Sequence, residues 1–220
     1  MAFADQTLKF RRDRLVVCEG PDDQAFVSAY LRHIQNTSVE VRYPATNSTA
    51  AGNTQFGRYL GFQKRDPSRS NWDALRHILI ITDGDGRPDN DVFDMVSNQM
   101  VAAHLQPPAA LGCRSNGHPT IEILIIPDNI ETFCKSAAIA RNAHLANCVH
   151  QFHDVVSSNG WNQQEQGKLW LRSYLAASHR RDAFIQFTTT FNVSEFCDRY
   201  FDLNHGSLTP LRTAINRLTS

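Results

Sequence analysis

No stretch of this sequence is apolar for long enough to span a bilayer, and neither sign of charge is in excess. The 22 Lys and Arg are matched by 22 Asp and Glu, giving a formal net charge of zero. That balance argues against a protein that coats nucleic acid non-specifically, which needs a basic excess; a local basic groove stays open. The five cysteines (Cys18, Cys113, Cys134, Cys148, Cys197) are scattered and form no C-x-x-C. A reduced, cytoplasmic setting is the expectation. The opening "MAFADQTLKFRRDR" has no apolar core, so a secretion signal is not expected. No G-x-x-x-x-G-K-[ST] is present, and "GDGRPD" is not the dinucleotide fingerprint. An EF-hand counted from Asp83 fails, because its fifth and sixth positions hold Arg87 and Pro88. There is no internal repeat.

What is present is core material. Hydrophobic residues make up 41% of 220 positions, enough for one domain with room for an appended part. "RLVVCEG", "VEVRYPA", "HILIIT" and "TIEILIIPD" read as strands, three of them nearly continuously apolar. Between them lie helical patterns in "DDQAFVSAYLRHI", "NTQFGRYLGFQKRD" (opened by Asn53) and "DVFDMVSNQMVAAHL", with "PSRSN" read as a loop. Asp22 or Asp23 would cap the first helix. "IETFCKSAAIARNAHLANCVHQFHDVV" reads as one long helix or two. This alternation predicts an α/β fold: a parallel four-stranded sheet with helices on both faces. After about residue 140 the strand signal fades. "NQQEQGKLWLRSYLAAS", "RDAFIQFTTTF", "VSEFCDRYF" and "LTPLRTAINRL" predict a C-terminal helical extension, although "TTTF" also suits an extended segment. The division is 1–140 for the α/β part and 141–220 for the extension packed on it.

In an open parallel sheet, ligands bind outside the carboxyl ends of the strands. Glu19 follows the first strand; Asp83 and Asp85 follow the third. If these strands are neighbours, three carboxylates converge and repel unless a cation joins them, and hard oxygen ligands suit Mg²⁺ or Mn²⁺. Residues two apart on an extended backbone point the same way, which would align Asp83 with Asp85. Taken alone, "DGDG" is also ordinary turn chemistry.

"LVVCEGPDD" followed by "ILIITDGDG" resembles the Toprim domain of topoisomerases, primases, OLD-family nucleases and RNA-maturation nucleases. The resemblance covers roughly residues 12–135, and "IIPDNIETF" is similar to the continuation in stand-alone, OLD-like members. It implies a Toprim or Rossmann-like sheet and metal-assisted phosphoryl transfer at a phosphodiester. It implies Glu19, Asp83 and Asp85 as catalytic residues and first metal ligands, with Asp23 and Glu131 serving a second metal or its water shell. Cys18 departs from the apolar or β-branched residue usual there. A topoisomerase would need a further domain with a nucleophilic Tyr, and a primase a zinc module, so hydrolysis of DNA or RNA remains. OLD-like members often work beside an ATPase, which makes a separately encoded ATPase a candidate partner.

The competing readings are plainer. Asp22 would be only a cap, and Glu131 a first-turn acid favouring the helix dipole or pairing with Lys135. Arg87 and Lys135 are candidate phosphate contacts, as are Arg58, Lys64, Arg65 and Arg69, "KFRRDR" (9–14) and "HRRD" (179–182); charge runs are usually solvated faces. His144, Cys148, His150 and His153 raise a zinc reading, weakened because the two pairs point differently on a helix. Trp161, Trp170, Tyr174, Phe184, Phe187 and Phe191 would stack bases or, at helical spacing, form core. Glu19 is also open to general acid–base work. A non-catalytic Toprim-fold module that binds nucleic acid or a nucleotide, in a defence or repair complex, is the alternative from another class.

Overall fold

The computed structural model describes residues 9–44, 54–156, 160–178 and 199–220. Four strands, β1 (Arg14–Cys18), β2 (Val39–Arg42), β3 (His77–Asp83) and β4 (Thr120–Ile126), form one parallel sheet in the order β2-β1-β3-β4. The expected α/β architecture is present. From β1 the chain moves outward to β2, then returns past β1 to build β3. The switch in direction therefore falls between β1 and β3, which pair with Cys18 opposite Ile81.

The apolar strands are continuous because both faces are covered. Val16, Cys18, Leu79 and Ile81 enter one core; Leu15, Val17, Ile78, Ile80, Ile121 and Ile123 enter the other. The first core is closed by α1 (Pro21–His33), α5 (Ile130–Arg141), α6 (Ala143–Val156), α7 (Gln163–Ser178) and α8 (Thr209–Thr219). The second is closed by α2 (Phe56–Arg65) and α4 (Asp89–Ala102). Each fully buried Leu, Ile or Val contributes about 1.5–3 kcal/mol, so the sheet is the rigid part on which loops are held.

One local feature differs from the sequence reading, and others decide between its alternatives. "PSRSN" is not a loop: Pro67–Ser70 form the one-turn helix α3, because Pro67 fits its first position and Asp66 Oδ1 accepts from the Arg69 amide. The segment after β4 is two helices, broken at Asn142, whose side chain accepts from the Leu145 amide and starts α6. Trp170 and Tyr174 are buried and stacked, and the Tyr174 hydroxyl donates to the carbonyls of Ala138 and Tyr200. They are core, with no face for a base. Together with Leu211, Ile215 and Leu218 of α8 they belong to the same buried cluster as Val16 and Leu79. Asn53, "HRRD", Phe184, Phe187, Phe191, "TTTF", Cys197 and most of "VSEFCDRYF" lie outside the described residues. Among the described residues, no helix is long and apolar enough to cross a membrane.

Candidate functional site

β1 ends at Cys18, and Glu19 follows it at the switch between β1 and β3. Its Oε2 accepts from Thr82 Oγ1 at 3.1 Å and from the Asp83 amide at 3.2 Å. These two bonds tie the ends of the strands together and orient the Glu19 carboxylate over them. Gly20 and Pro21 then turn the chain into α1. Asp23 Oδ2 accepts from the Gly20 amide at 2.8 Å, so the capping bond falls to Asp23 rather than Asp22. The bond also aims Asp23 back toward the end of β1.

The β3–α4 loop is stitched to the β4–α5 loop. The Gly84 amide donates to the Ile126 carbonyl at 2.8 Å, and the Asp85 amide to the Asp128 carbonyl at 2.7 Å. A side chain on Gly84 would stand 3.2 Å from the Ile126 oxygen, so this close approach favours glycine. Asp85 has a φ of +51°. The backbone is no longer extended there, so the extended-strand argument for aligning Asp83 with Asp85 does not apply, although the charge of Asp85 still acts on Asp83. Asp85 instead stands 3.6 Å from Arg87 Nη2. Arg87 Nε also donates to the Gly84 carbonyl, at 3.3 Å.

On the far side, Asn129 caps α5 by accepting from the Thr132 amide at 2.9 Å, which puts Glu131 in the first turn. α7 comes in close to that turn. A Cβ on Gly167 would lie 2.8 Å from Thr132 Oγ1, so glycine lets the helix backbone approach and brings the next residue, Lys168, to the acids. Glu19, Asp22, Asp23, Asp83, Glu131 and Lys168 line one cavity of about 150 Å³. Asp85, Arg87 and Lys135 do not line it. The Lys135 ammonium stands 5.1 Å from the Trp170 ring centroid, and burial lowers its pKa against the opposing charge of Asp154. It is neither a partner of Glu131 nor a group at the cavity. A larger cavity, about 670 Å³, lies away from these acids between α2 and α4.

The acids strain one another. Burial, then the charges of Asp23, Glu19, Asp85 and Glu131, push the Asp83 carboxyl up to about 10. Asp23 is raised to about 7, by burial first and by Glu19, Glu131 and Asp22 after it, against the lowering bond from Gly20. Glu131 is raised by burial, while its own backbone hydrogen bond and the charges of Lys168 and Arg172 pull it down. Such a cluster cannot ionise fully at neutral pH without added positive charge. Among the described residues, no group of three or more His, Cys, Asp or Glu is arranged to hold a metal ion as it stands. The donor chemistry nevertheless fits a hard divalent cation: carboxylates from three separate strand-to-helix junctions, with hydrogen bonds that orient them. A carboxylate has about four acceptor sites, so it can take hydrogen bonds and a cation together.

Lys168 and Arg172 were not singled out by motif reasoning. Their signal is a Gly167-Lys168 step inside a helix with Arg172 four residues on, one face away from the buried Trp170 and Leu171. The zinc reading fails for the described residues. His153 Nε2 meets the Gln166 carbonyl at 3.0 Å, the His150 ring lies 5.3 Å from Trp170, and His144 and Cys148 are exposed.

The family model of DUF3226, described as a protein of unknown function, matches residues 13–220. The chain belongs to this family. The DUF3226 match runs from β1 through α8, so the acids and Lys168 all fall inside it. No curated protein matches the chain. Two solved structures are similar to it at low identity. One is the C-terminal region of the OLD protein of Xanthomonas campestris pv. campestris, at 11% identity and a TM-score of 0.45, covering 96% of this chain and 97% of that one. The other is the C-terminal region of the Burkholderia pseudomallei OLD protein, at 8% identity and a TM-score of 0.42, covering 95% and 100%.

Proposed function

We propose that this DUF3226 chain is a Mg²⁺- or Mn²⁺-dependent nuclease, a stand-alone Toprim-like domain that hydrolyses phosphodiester bonds in DNA or RNA. One observation carries the reading. Glu19, Asp23, Asp83 and Glu131 share a small cavity at the switch point of a parallel sheet, with Lys168 as the cation beside them. The paired sequence motifs that resemble Toprim supply the reaction class.

Glu19, Asp83 and Asp23 would hold the cation, with Glu131 at its edge and Asp85 acting through its charge on Asp83. When bound, the metal supplies polarisation of the phosphoryl oxygen and a water of lowered pKa. The chain's own groups do the rest. Thr82 and the Asp83 amide fix the direction of Glu19. Lys168 puts a positive charge where an anionic phosphate enters, and it moderates the raised pKa of Glu131. The stitched β3–α4 and β4–α5 loops keep the acids on rigid supports.

A second reading rests on the open arrangement of the acids: a module that binds cation and nucleic acid without turnover. The test is a panel of single- and double-stranded DNA and RNA with Mg²⁺, Mn²⁺ or EDTA. Metal-dependent cleavage of any member supports the nuclease. Binding that persists in EDTA, with no cleavage in either metal, favours the module.

A further inference from the structure

Across the sheet from the acids, α2 and α4 cross and leave the cavity of about 670 Å³. Glycine is the reason they come so close. A Cβ on Gly57 would lie 2.3 Å from the Gln99 carbonyl oxygen, and one on Gly61 would lie 3.3 Å from Ala103 Cβ. Gly57, Gly61, Ala102 and Ala103 make a smooth floor. Arg58, Lys64 and Arg65 of α2 and His104 beyond α4 make the walls, and among the described residues no Asp or Glu lines the cavity. In a chain with zero net charge, that is a segregation of positive charge.

The spacing selects the ligand. Arg58 and Arg65 are seven residues apart on α2, about two turns and roughly 10 Å along one helix face. That equals the axial rise of about three nucleotides in one strand, so a row of phosphates matches it better than a single one. Lys64 Nζ donates to the His104 carbonyl at 2.6 Å, which holds its charge in the wall.

We propose that this groove binds the phosphate backbone of a polynucleotide, as an anchoring site separate from the acid cavity. The substrate class follows the nuclease reading; the binding does not require turnover. α4 starts just past the β3–α4 loop and its 14 residues carry the chain about 20 Å to the groove. Exposed Asp89, Asp91 and Asp94 at the start of α4 repel a polyanion there, which confines the contact to the far end. A strand that engages both sites spans about six nucleotides.

The test is fluorescence anisotropy in EDTA with labelled 20-nucleotide single-stranded and duplex DNA. The full chain is compared with the double variant Arg58→Glu/Arg65→Glu, which spares Lys64. Arg76→Glu/Arg141→Glu, at two exposed positions elsewhere, makes the same change in net charge. The groove reversal is expected to weaken binding at least tenfold and to flatten the dependence of log K on log salt by about 1.5–2; the control is expected to change binding less than threefold. Equal losses in both variants, or no loss in the groove variant, would overturn the proposal. Should the reversal melt early, Arg58→Gln/Arg65→Gln is read in its place, with the same comparison. Hydrolysis of bis(p-nitrophenyl) phosphate in Mn²⁺, a substrate too small to reach the groove, is expected to be equal in wild type and groove variant. A chain that hydrolyses nothing, yet loses DNA binding only on groove reversal, supports the groove and contradicts the nuclease.

Discussion

Asp83 concentrates the electrostatic conflict of the acid cavity, since burial and four other carboxylates all oppose its ionisation. An unfolded aspartate ionises near pH 4. Above that pH and below the raised folded values of Asp23 and Asp83, the folded chain holds protons that the unfolded chain has released. Metal-free stability therefore falls as pH rises from about 4 through neutrality toward 10. Thermal melts should show Tm dropping across that range in EDTA. Mg²⁺ should raise Tm more at pH 8 than at pH 5, and Asp83→Asn should raise the metal-free Tm at pH 8 while abolishing the Mg²⁺ gain. Lys168 offers a second test at this scale. Lys168→Gln should lower cleavage about 10–100-fold and move the acidic limb of the pH profile upward, because Glu131 loses a charge that lowers its pKa. A uniform drop at every pH would point to a structural role instead. Glu19 and Asp83 were legible in the sequence because short motifs sit at strand ends in a fixed order. Lys168 was not, because its nearness to them depends on how α7 docks, and no local pattern encodes that.

Helix crossings and clamps set where these side chains stand. Gly57→Ala would drive a methyl into the Gln99 carbonyl, a backbone atom that cannot step aside. The gain of about 1 kcal/mol in helix propensity is outweighed by overpacking of about 1–3 kcal/mol, with more expected for so short an approach. Tm should fall by several degrees, and Gly61→Ala should cost less. α8 is clamped to the sheet through Glu122, a buried residue of β4. Its carboxylate accepts from Arg217 Nε at 3.0 Å and again from Nη2, with Arg114 at 4.0 Å. Arg217→Ala should destabilise by about 2 kcal/mol, less than a fully buried pair because the arginine is partly solvated. Arg217→Ala combined with Glu122→Gln should recover part of that loss in urea unfolding. Three strands were legible from their apolar runs, and β2 from its alternating, β-branched pattern. Two other features were not, and a third, the break after β4, was left open between one helix and two. The helix at Pro67–Ser70 depends on one Asp66 cap, and the break at Asn142 on one side-chain bond. The left-handed turn at Asp85 is held by its amide bond to the Asp128 carbonyl across to another loop. Such single hydrogen bonds leave little trace in periodicity.

Over the whole molecule, zero net charge conceals two opposed regions: an acid cavity at the carboxyl ends of β1 and β3, and a basic groove on the other sheet face. Composition could report only their sum, while the division needed the fold. The α/β class follows from alternating strands and helices, while the sheet order, which the sequence left conditional, decides which acids meet. The claim that those acids run a phosphodiester hydrolysis is tested most directly by single-turnover cleavage. A labelled oligonucleotide would be incubated in Mn²⁺ with wild type and with Asp83→Asn, both purified identically and shown to be folded by their melts. The account expects cleavage by wild type that EDTA stops, and a loss of at least a thousandfold in Asp83→Asn. Equal cleavage by both proteins, or none by wild type in any divalent metal, would contradict it.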